Sequence, residues 1–163
     1  MAQTQTREIV IIGTGKIAEL FARHRPSKAH ITFVAHKNYQ KAETLAKYSG
    51  GETLPLQDLP RIITKAAAVI SATSSPHYIL KKEHFNNYPV RRERPLYVYD
   101  LAIPRDAEPE IGAIAGVLLQ NLDDLGHIFS RYNEFRRERV ELASRLIEDV
   151  LGASREVIHG KYL

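Results

Sequence analysis

A short glycine-rich segment carries the clearest chemical signal in this sequence. Residues 13–18 read GTGKIA, which fits the pattern G-x-G-x-x-A directly after a β-branched run and at the start of a helical pattern. In this context the glycines permit a tight turn and a close approach of the backbone to a pyrophosphate, which the N–H groups of a helix N-terminus can bind. A glycine turn that only links a strand to a helix is the alternative. The predicted phosphate contacts are Gly13, Thr14, Gly15, Lys16 and Ile17.

The residues after the second predicted strand indicate which dinucleotide would bind. An NAD site usually places a carboxylate there, about 20 residues past the glycines, on the ribose 2′-hydroxyl. This sequence has no carboxylate at that point and reads Ala35-His36-Lys37-Asn38. We expect Lys37, together with His36 and Asn38, to meet a 2′-phosphate, which predicts NADP(H) rather than NAD(H). The alternative is that Lys37 is an ordinary exposed lysine at the start of a helix, and this interpretation is about as common as a phosphate contact.

A loop rich in hydroxyl residues follows the fourth predicted strand, from Ser71 to His77. Such loops line the ligand crevice of open α/β sheets. We therefore expect Thr73 and Ser74 to contact the cofactor. His77 is a candidate proton donor, although a lone histidine in a loop is more often simply exposed.

Three charged residues, Asp100, Arg105 and Asp106, follow the fifth predicted strand, and we consider the first two as site residues. The carboxyl end of that strand is where a substrate would meet a nicotinamide. Both residues are therefore catalytic candidates. We favour the interpretation that they form an ion pair that shapes the loop.

Alternating patterns of strand and helix predict how these segments are positioned. Short apolar runs separated by glycine, proline and helical patterns indicate six strands. The predicted strands are Arg7 to Ile12, His30 to Ala35, Glu52 to Leu54, Ala66 to Ser71, Leu96 to Leu101 and Val117 to Leu119. The alternation predicts a Rossmann-like α/β fold over residues 1–125, with a doubly wound, mainly parallel sheet.

The pattern changes after Asn121. Apolar residues then recur three or four apart, with no proline or glycine between Gly126 and Gly152, which predicts a long amphipathic helix. Residues 126–163 would form a C-terminal helical extension. Such a helix either packs back on the sheet or pairs with a second subunit, which would make the protein a homodimer.

Composition excludes several classes of site. The 163 residues include no cysteine, which excludes disulfides, thiolate metal sites and a cysteine nucleophile on this chain. The seven histidines lack the spacing of metal ligands, so we expect no metal. The net charge of +4 fits an anionic partner such as a nucleotide, or an ordinary solvated surface, and we expect no direct DNA binding.

The sequence also lacks membrane and export signals. The longest apolar runs are far shorter than the ~20 residues that cross a bilayer. The N-terminus does not have the apolar core and cleavage site of a secretory signal. We therefore expect a cytoplasmic protein with no membrane partner, and the initiator methionine favours a natural small protein over an excised domain.

Several segments, taken in order, resemble the glutamyl-tRNA reductase family. They are the glycine turn Ile12–Lys16, the loop Ile70–His77 and, most specifically, the stretch Tyr99–Glu110 (YDLAIPRDAEPE), followed by Asn121–Leu125. The likeness covers about Glu8 to Leu125. The terminal helix resembles the start of the segment that forms the dimer in that family.

The resemblance implies reduction of an activated glutamate by NADPH in tetrapyrrole synthesis, after a cysteine of a separate N-terminal catalytic domain has captured the carbonyl. This sequence contains neither that cysteine nor that domain. We therefore expect an oxidoreductase, or a component of one, that delivers hydride to a substrate held by a separate catalytic protein or by the second subunit. The alternatives are a dehydrogenase of a tetrapyrrole precursor and a non-catalytic nucleotide-sensing or assembly module.

Overall fold

A parallel sheet forms the centre of the protein in the computed structural model, which describes residues 7–25, 27–35, 37–89 and 94–129. Within these ranges the strands are β1 Arg7–Ile12, β2 Ala29–Ala35, β3 Glu52–Pro55, β4 Ala68–Ser71, β5 Leu96–Asp100 and β6 Val117–Asn121. They pair in the order β3-β2-β1-β4-β5-β6, and every pair is parallel. This is the strand order of a Rossmann fold, so the predicted fold class is confirmed.

Helices cover both faces of this sheet. The α-helices are α1 Lys16–Arg23, α2 Tyr39–Ser49, α3 Leu59–Ile63 and α4 Leu122–Phe129, and short 3-10 helices span Leu56–Asp58, Lys82–Phe85 and Pro109–Ala113. Helix α4 lies where the sequence predicts that a long C-terminal helix begins. Most of the predicted extension 126–163 lies outside the described residues, from position 130 onward, so the long helix stays a prediction.

The side-chain alternation of β1 explains why both faces are buried. Ile9 and Ile11 point to the face covered by α1, α2 and the start of α4, where Phe21 is among their neighbours. Val10 and Ile12 point to the opposite face, which α3 covers with residues such as Leu59. A strand that is apolar on both sides belongs at the centre of a parallel sheet, and β1 lies between β2 and β4.

The predicted strand bounds agree with the structure to within two residues. The alternation with α-helices holds only as far as β4. In the described residues that follow, β4 and β5, and likewise β5 and β6, are joined by loops that carry a 3-10 helix. Prolines explain the change, because each lacks the N–H group that an α-helix interior needs. The first connection contains Pro76, Pro89 and Pro95, and the second contains Pro104 and Pro109.

Candidate functional site

A cleft opens at the carboxyl ends of the strands, where the strand order reverses between β1 and β4. Parallel α/β sheets bind ligands at this topological switch point, and we call it the switch-point cleft. Its volume is about 460 Å³. The described residues that line it are Ile12, Gly13, Thr14, Gly15, Val34, Ala35, Lys37, Asn38, Lys41, Leu56, Ala72, Thr73, Ser74, Ser75, Pro76 and Ile79.

The glycine turn forms the floor of the switch-point cleft. Gly13 has a φ of 110°, and its N–H donates a hydrogen bond of 3.1 Å to the carbonyl oxygen of Val34. A Cβ atom on Gly13 would lie 2.8 Å from the carbonyl oxygen of Ala72, whereas one on Gly15 would lie 3.9 Å from the same atom. The turn therefore packs directly against the loop after β4, with no space for a side chain at Gly13.

The N-terminus of α1 follows this turn. Its first intrahelical hydrogen bond runs from the N–H of Glu19 to the carbonyl oxygen of Gly15, at 3.1 Å. The amides between these residues therefore have no acceptor within the helix. The side chains of Lys16 and Ile17 do not line the cleft, because Lys16 extends toward Glu19 at 3.4 Å and Ile17 packs on the core. Of the five predicted phosphate contacts, Gly13, Thr14 and Gly15 line the cleft, and Lys16 and Ile17 do not.

The end of β2 contributes positive charge. Of the three residues predicted to meet the 2′-phosphate, Lys37 and Asn38 line the switch-point cleft. The third, His36, lies outside the described residues. Lys41, in the first turn of α2, also lines the cleft and was not predicted. Its Nζ atom lies 2.9 Å from Oε1 of Glu19, and the hydrogen bond from Lys41 is the largest cause of the lowered pKa of Glu19. No sequence signal marked Lys41, because the sequence does not show which side of α2 faces the cleft.

Asp106 holds the loop after β4 against the sheet. Its carboxylate is completely buried and accepts hydrogen bonds from the Ser71 hydroxyl at 2.7 Å, from the Thr73 N–H at 2.9 Å and from the Thr73 hydroxyl at 2.6 Å. The predicted contact residue Thr73 is therefore oriented by Asp106, while Ser74 lines the cleft beside it. The sequence analysis placed Asp106 after the fifth strand but did not select it as a site residue, and its complete burial is unusual for an aspartate.

Asp100 has a structural environment of the same kind. Its side chain is 2% exposed, and its carboxylate accepts hydrogen bonds from the N–H groups of Ala102 at 3.1 Å, Asp106 at 3.0 Å and Ala107 at 3.0 Å. Burial is the largest influence on this carboxyl and raises its pKa. Asp100 lines neither the switch-point cleft nor the second cavity described below. It fixes the turn by which the chain leaves β5.

The expected ion pair between Asp100 and Arg105 is wrong. The guanidinium group of Arg105 donates instead to the carboxylate of Asp123 and, at 3.4 Å, to Oδ1 of Asn121, at the start of α4. The reason is that Asp100 points into the protein, where backbone amides satisfy it. Arg105 lies at the surface, with 31% of its side chain exposed.

His77 and Arg105 are brought together in a second cavity. This cavity, which we call the side cavity, has a volume of about 560 Å³ and is lined by Pro76, His77, Tyr78, Lys81, Pro104, Arg105 and Glu108. It shares Pro76 with the switch-point cleft. Two of the three predicted catalytic residues therefore face one space, and the third, Asp100, is buried away from it.

Within the described ranges, no three His, Asp or Glu side chains are arranged as ligands of a metal ion. No helix in these ranges has the length and apolar character needed to cross a bilayer.

Sequence comparison relates residues 1–128 to the family described as shikimate / quinate 5-dehydrogenase. The chain is 33% identical over 150 residues to the glutamyl-tRNA reductase of Desulfitobacterium hafniense, covering 91% of this chain and 34% of that protein. It is 36% identical over 148 residues to that of Methanococcoides burtonii, covering 89% and 35%. The resemblance stated from the motifs is thus confirmed, and the chain spans about a third of the length of these curated relatives.

Solved structures give the same result. Glutamyl-tRNA reductase from Methanopyrus kandleri superposes with a TM-score of 0.68 at 25% identity, over 94% of this chain and 39% of that one. The nucleotide binding domain of glutamyl-tRNA reductase from Thermoplasma volcanium superposes with a TM-score of 0.59 at 20% identity, over 83% of this chain and 89% of that domain. The matching region is therefore one domain of a longer enzyme.

Proposed function

The chain belongs to the shikimate / quinate 5-dehydrogenase family and matches the nucleotide-binding domain of glutamyl-tRNA reductases, and from this we propose that it binds NADP(H) in the switch-point cleft. The observation that carries the choice of NADP(H) is the charge of that cleft. Its described lining contains two lysines, Lys37 and Lys41, and no carboxylate. A site for NAD would present a carboxylate to the ribose 2′-hydroxyl, whereas lysines favour a 2′-phosphate.

The residues present fit such a dinucleotide. The pyrophosphate would lie on the free amides at the start of α1, because Gly15 leaves the backbone uncovered there. Lys37 and Lys41 would hold the 2′-phosphate, and Thr73 and Ser74 would border the cofactor on the side of β4. When bound, the nicotinamide ring supplies a hydride to the reaction.

We place this binding function in an oxidoreductase. Residues 1–125 would be the NADP(H)-binding domain, and residues 126–163 would form a helical extension that pairs two copies of the chain. Because the chain, and so any second copy of it, has no cysteine, an acceptor bound through a cysteine would be held by a separate catalytic protein. An acceptor bound without a cysteine would be held by that protein or by the second subunit. Reduction of an activated glutamate in tetrapyrrole synthesis is the reaction that the relatives' name supports.

A second candidate is a non-catalytic nucleotide-sensing module. The observation that favours it is the state of Asp100, the one carboxylate among the predicted catalytic residues, which is buried and bound by three backbone amides. Oxidation of NADPH by the isolated chain, with any aldehyde or activated carboxyl compound, would exclude this candidate.

Binding of NADPH should raise the melting temperature of the protein. A ligand that binds only the folded state stabilises it by about 2.7 kcal/mol at a concentration 100 times its Kd. The measurement is thermal unfolding monitored by circular dichroism with increasing NADPH, NADH or neither. No shift with either nicotinamide nucleotide would contradict the proposal, and a larger shift with NADH would contradict the choice of NADP(H).

Replacement of Lys37 or Lys41 with alanine should weaken NADPH binding about tenfold each and leave NADH binding nearly unchanged, since a hydrogen bond to a charged group contributes about 1.5–3 kcal/mol. Titration calorimetry with both nucleotides measures this. Lys47→Ala is the matched control. Lys47 is an exposed lysine in the last turn of α2, the helix that contains Lys41, and it does not line the cleft. Equal losses for the two nucleotides would place both lysines away from the 2′-phosphate.

A further inference from the structure

The side cavity has firm walls made by two loops. The loop after β4 and the loop after β5 are joined by a parallel bridge between Leu80 and Ala107. The N–H groups of Ile79 and Leu80 donate to the carbonyl oxygen of Asp106 at 2.7 Å and 2.9 Å. The N–H of Glu108 donates to the carbonyl oxygen of Leu80 at 2.9 Å. The cavity is therefore part of the folded framework and not a gap between independent loops.

The polar lining of the side cavity is mainly basic. His77, Lys81 and Arg105 face a single carboxylate, that of Glu108. The Oε2 atom of Glu108 already accepts a hydrogen bond of 2.8 Å from the N–H of Lys82. This bond fixes the position of Glu108, and the lining carries the two positive charges of Lys81 and Arg105 against its one negative charge, which favours an anion.

Two of these basic side chains are suited to hold that anion. Arg105 is oriented by its bonds to Asp123 and Asn121 at one end of its guanidinium group. Its other amino group, Nη1, has only a contact of 3.5 Å with the carbonyl oxygen of Ala102. The Nζ atom of Lys81 lies 3.8 Å from a carboxylate oxygen of Glu83, and both side chains are about half exposed or more. Such a surface pair is weak, so Lys81 is free to turn toward a ligand.

The remaining lining is apolar. Tyr78 is 44% exposed although it is a large side chain, and Pro76 and Pro104 lie along the same cavity. An aromatic ring beside prolines favours a ligand with a carbon skeleton, since inorganic anions gain nothing from apolar contact.

We propose that the side cavity binds a small organic carboxylate, with its carboxylate group on Lys81 and Arg105 and its carbon skeleton against Tyr78 and Pro104. The Nη1 group of Arg105 can donate one charge-assisted hydrogen bond to a carboxylate oxygen, and the Nζ atom of Lys81 can donate another. The cavity shares Pro76 with the switch-point cleft. Such a ligand would therefore lie next to the cofactor, a statement that rests on the proposed function.

The test uses benzoate as the probe and benzamide as its uncharged counterpart, at constant ionic strength and without any dinucleotide. A ¹⁵N-labelled sample of the full chain is titrated and followed by NMR. Benzoate should shift the amides of residues 77–81 and 105–108 with a Kd on the order of 1 mM, and benzamide should bind at least about tenfold more weakly. Absence of saturable shifts with benzoate, shifts confined to other residues, or equal binding of benzamide would overturn the proposal.

A pair of adjacent lysines provides the matched variants. Lys81→Gln should weaken benzoate binding about tenfold, the loss expected for one hydrogen bond to a charged group. Lys82→Gln should leave it unchanged, because only the backbone of Lys82 contacts Glu108 and its side chain does not line the cavity. Equal losses in both variants would show a general charge effect and overturn the proposal. NADPH binding, measured on the same samples, tests the proposed function separately.

Discussion

Replacement of Gly13 with alanine should abolish NADPH binding and destabilise the fold. Gly13 has a φ of 110°, which costs other residues about 1–3 kcal/mol. The added methyl group would also lie 2.8 Å from a backbone oxygen, that of Ala72, which belongs to the loop fixed by Asp106. The two segments must therefore separate, and the amides at the start of α1 move with them. Thermal unfolding measures the loss of stability, and titration calorimetry measures the loss of binding.

Substitutions at two other glycines separate the loss of stability from the loss of NADPH binding. A methyl group on Gly15 would have no atom nearer than the Ala72 oxygen at 3.9 Å, so Gly15→Ala should fold normally and still lose NADPH binding, because the methyl group fills the place of the pyrophosphate. Gly112→Ala should retain stability and binding, since its methyl group would meet Leu119 at an ordinary 3.7 Å. A Gly13→Ala protein as stable as the Gly112→Ala protein would contradict the tight packing of the turn.

The sequence predicts the part of the molecule whose signals are local. Strand β1 is apolar on both faces and is followed at once by the glycine turn, so its central position and the cleft beside it were both expected. Lys37 also lines that cleft. It closely follows the end of β2, and the carboxyl ends of parallel strands meet at one edge of the sheet.

The polar network at the ends of β4 and β5 has no such local signal. Asp100 and Arg105 are five residues apart and opposite in charge, which suggests an ion pair. Their partners are decided by where the chain turns: backbone amides surround Asp100, and the start of α4 places Asp123 beside Arg105. Lys41 was missed for a similar reason, since the sequence does not show which side of α2 faces the cleft.

Removal of the Asp106 carboxylate from this network should have a large effect on stability. Asp106→Ala leaves the Ser71 hydroxyl and both the N–H and the hydroxyl of Thr73 without their acceptor. These groups lie at a completely buried carboxylate, where each unpaired group costs about 1–3 kcal/mol. We expect a loss of at least about 3 kcal/mol in the free energy of unfolding, measured by urea denaturation. NADPH binding should also weaken, because the loop that lines the switch-point cleft loses its anchor.

Asp106→Asn distinguishes hydrogen bonding from charge. An asparagine can still accept from the Thr73 N–H with its oxygen and donate from its amide to the Thr73 hydroxyl, which can rotate. It should therefore keep most of the stability and NADPH affinity that Asp106→Ala loses. Asp58→Ala is the control for removal of a carboxylate, since Asp58 makes no capping hydrogen bond and lies 4.0 Å from Arg61 at the surface. That variant should change stability by less than about 0.5 kcal/mol. If Asp106→Ala were as mild as this control, Asp106 would not anchor the loop.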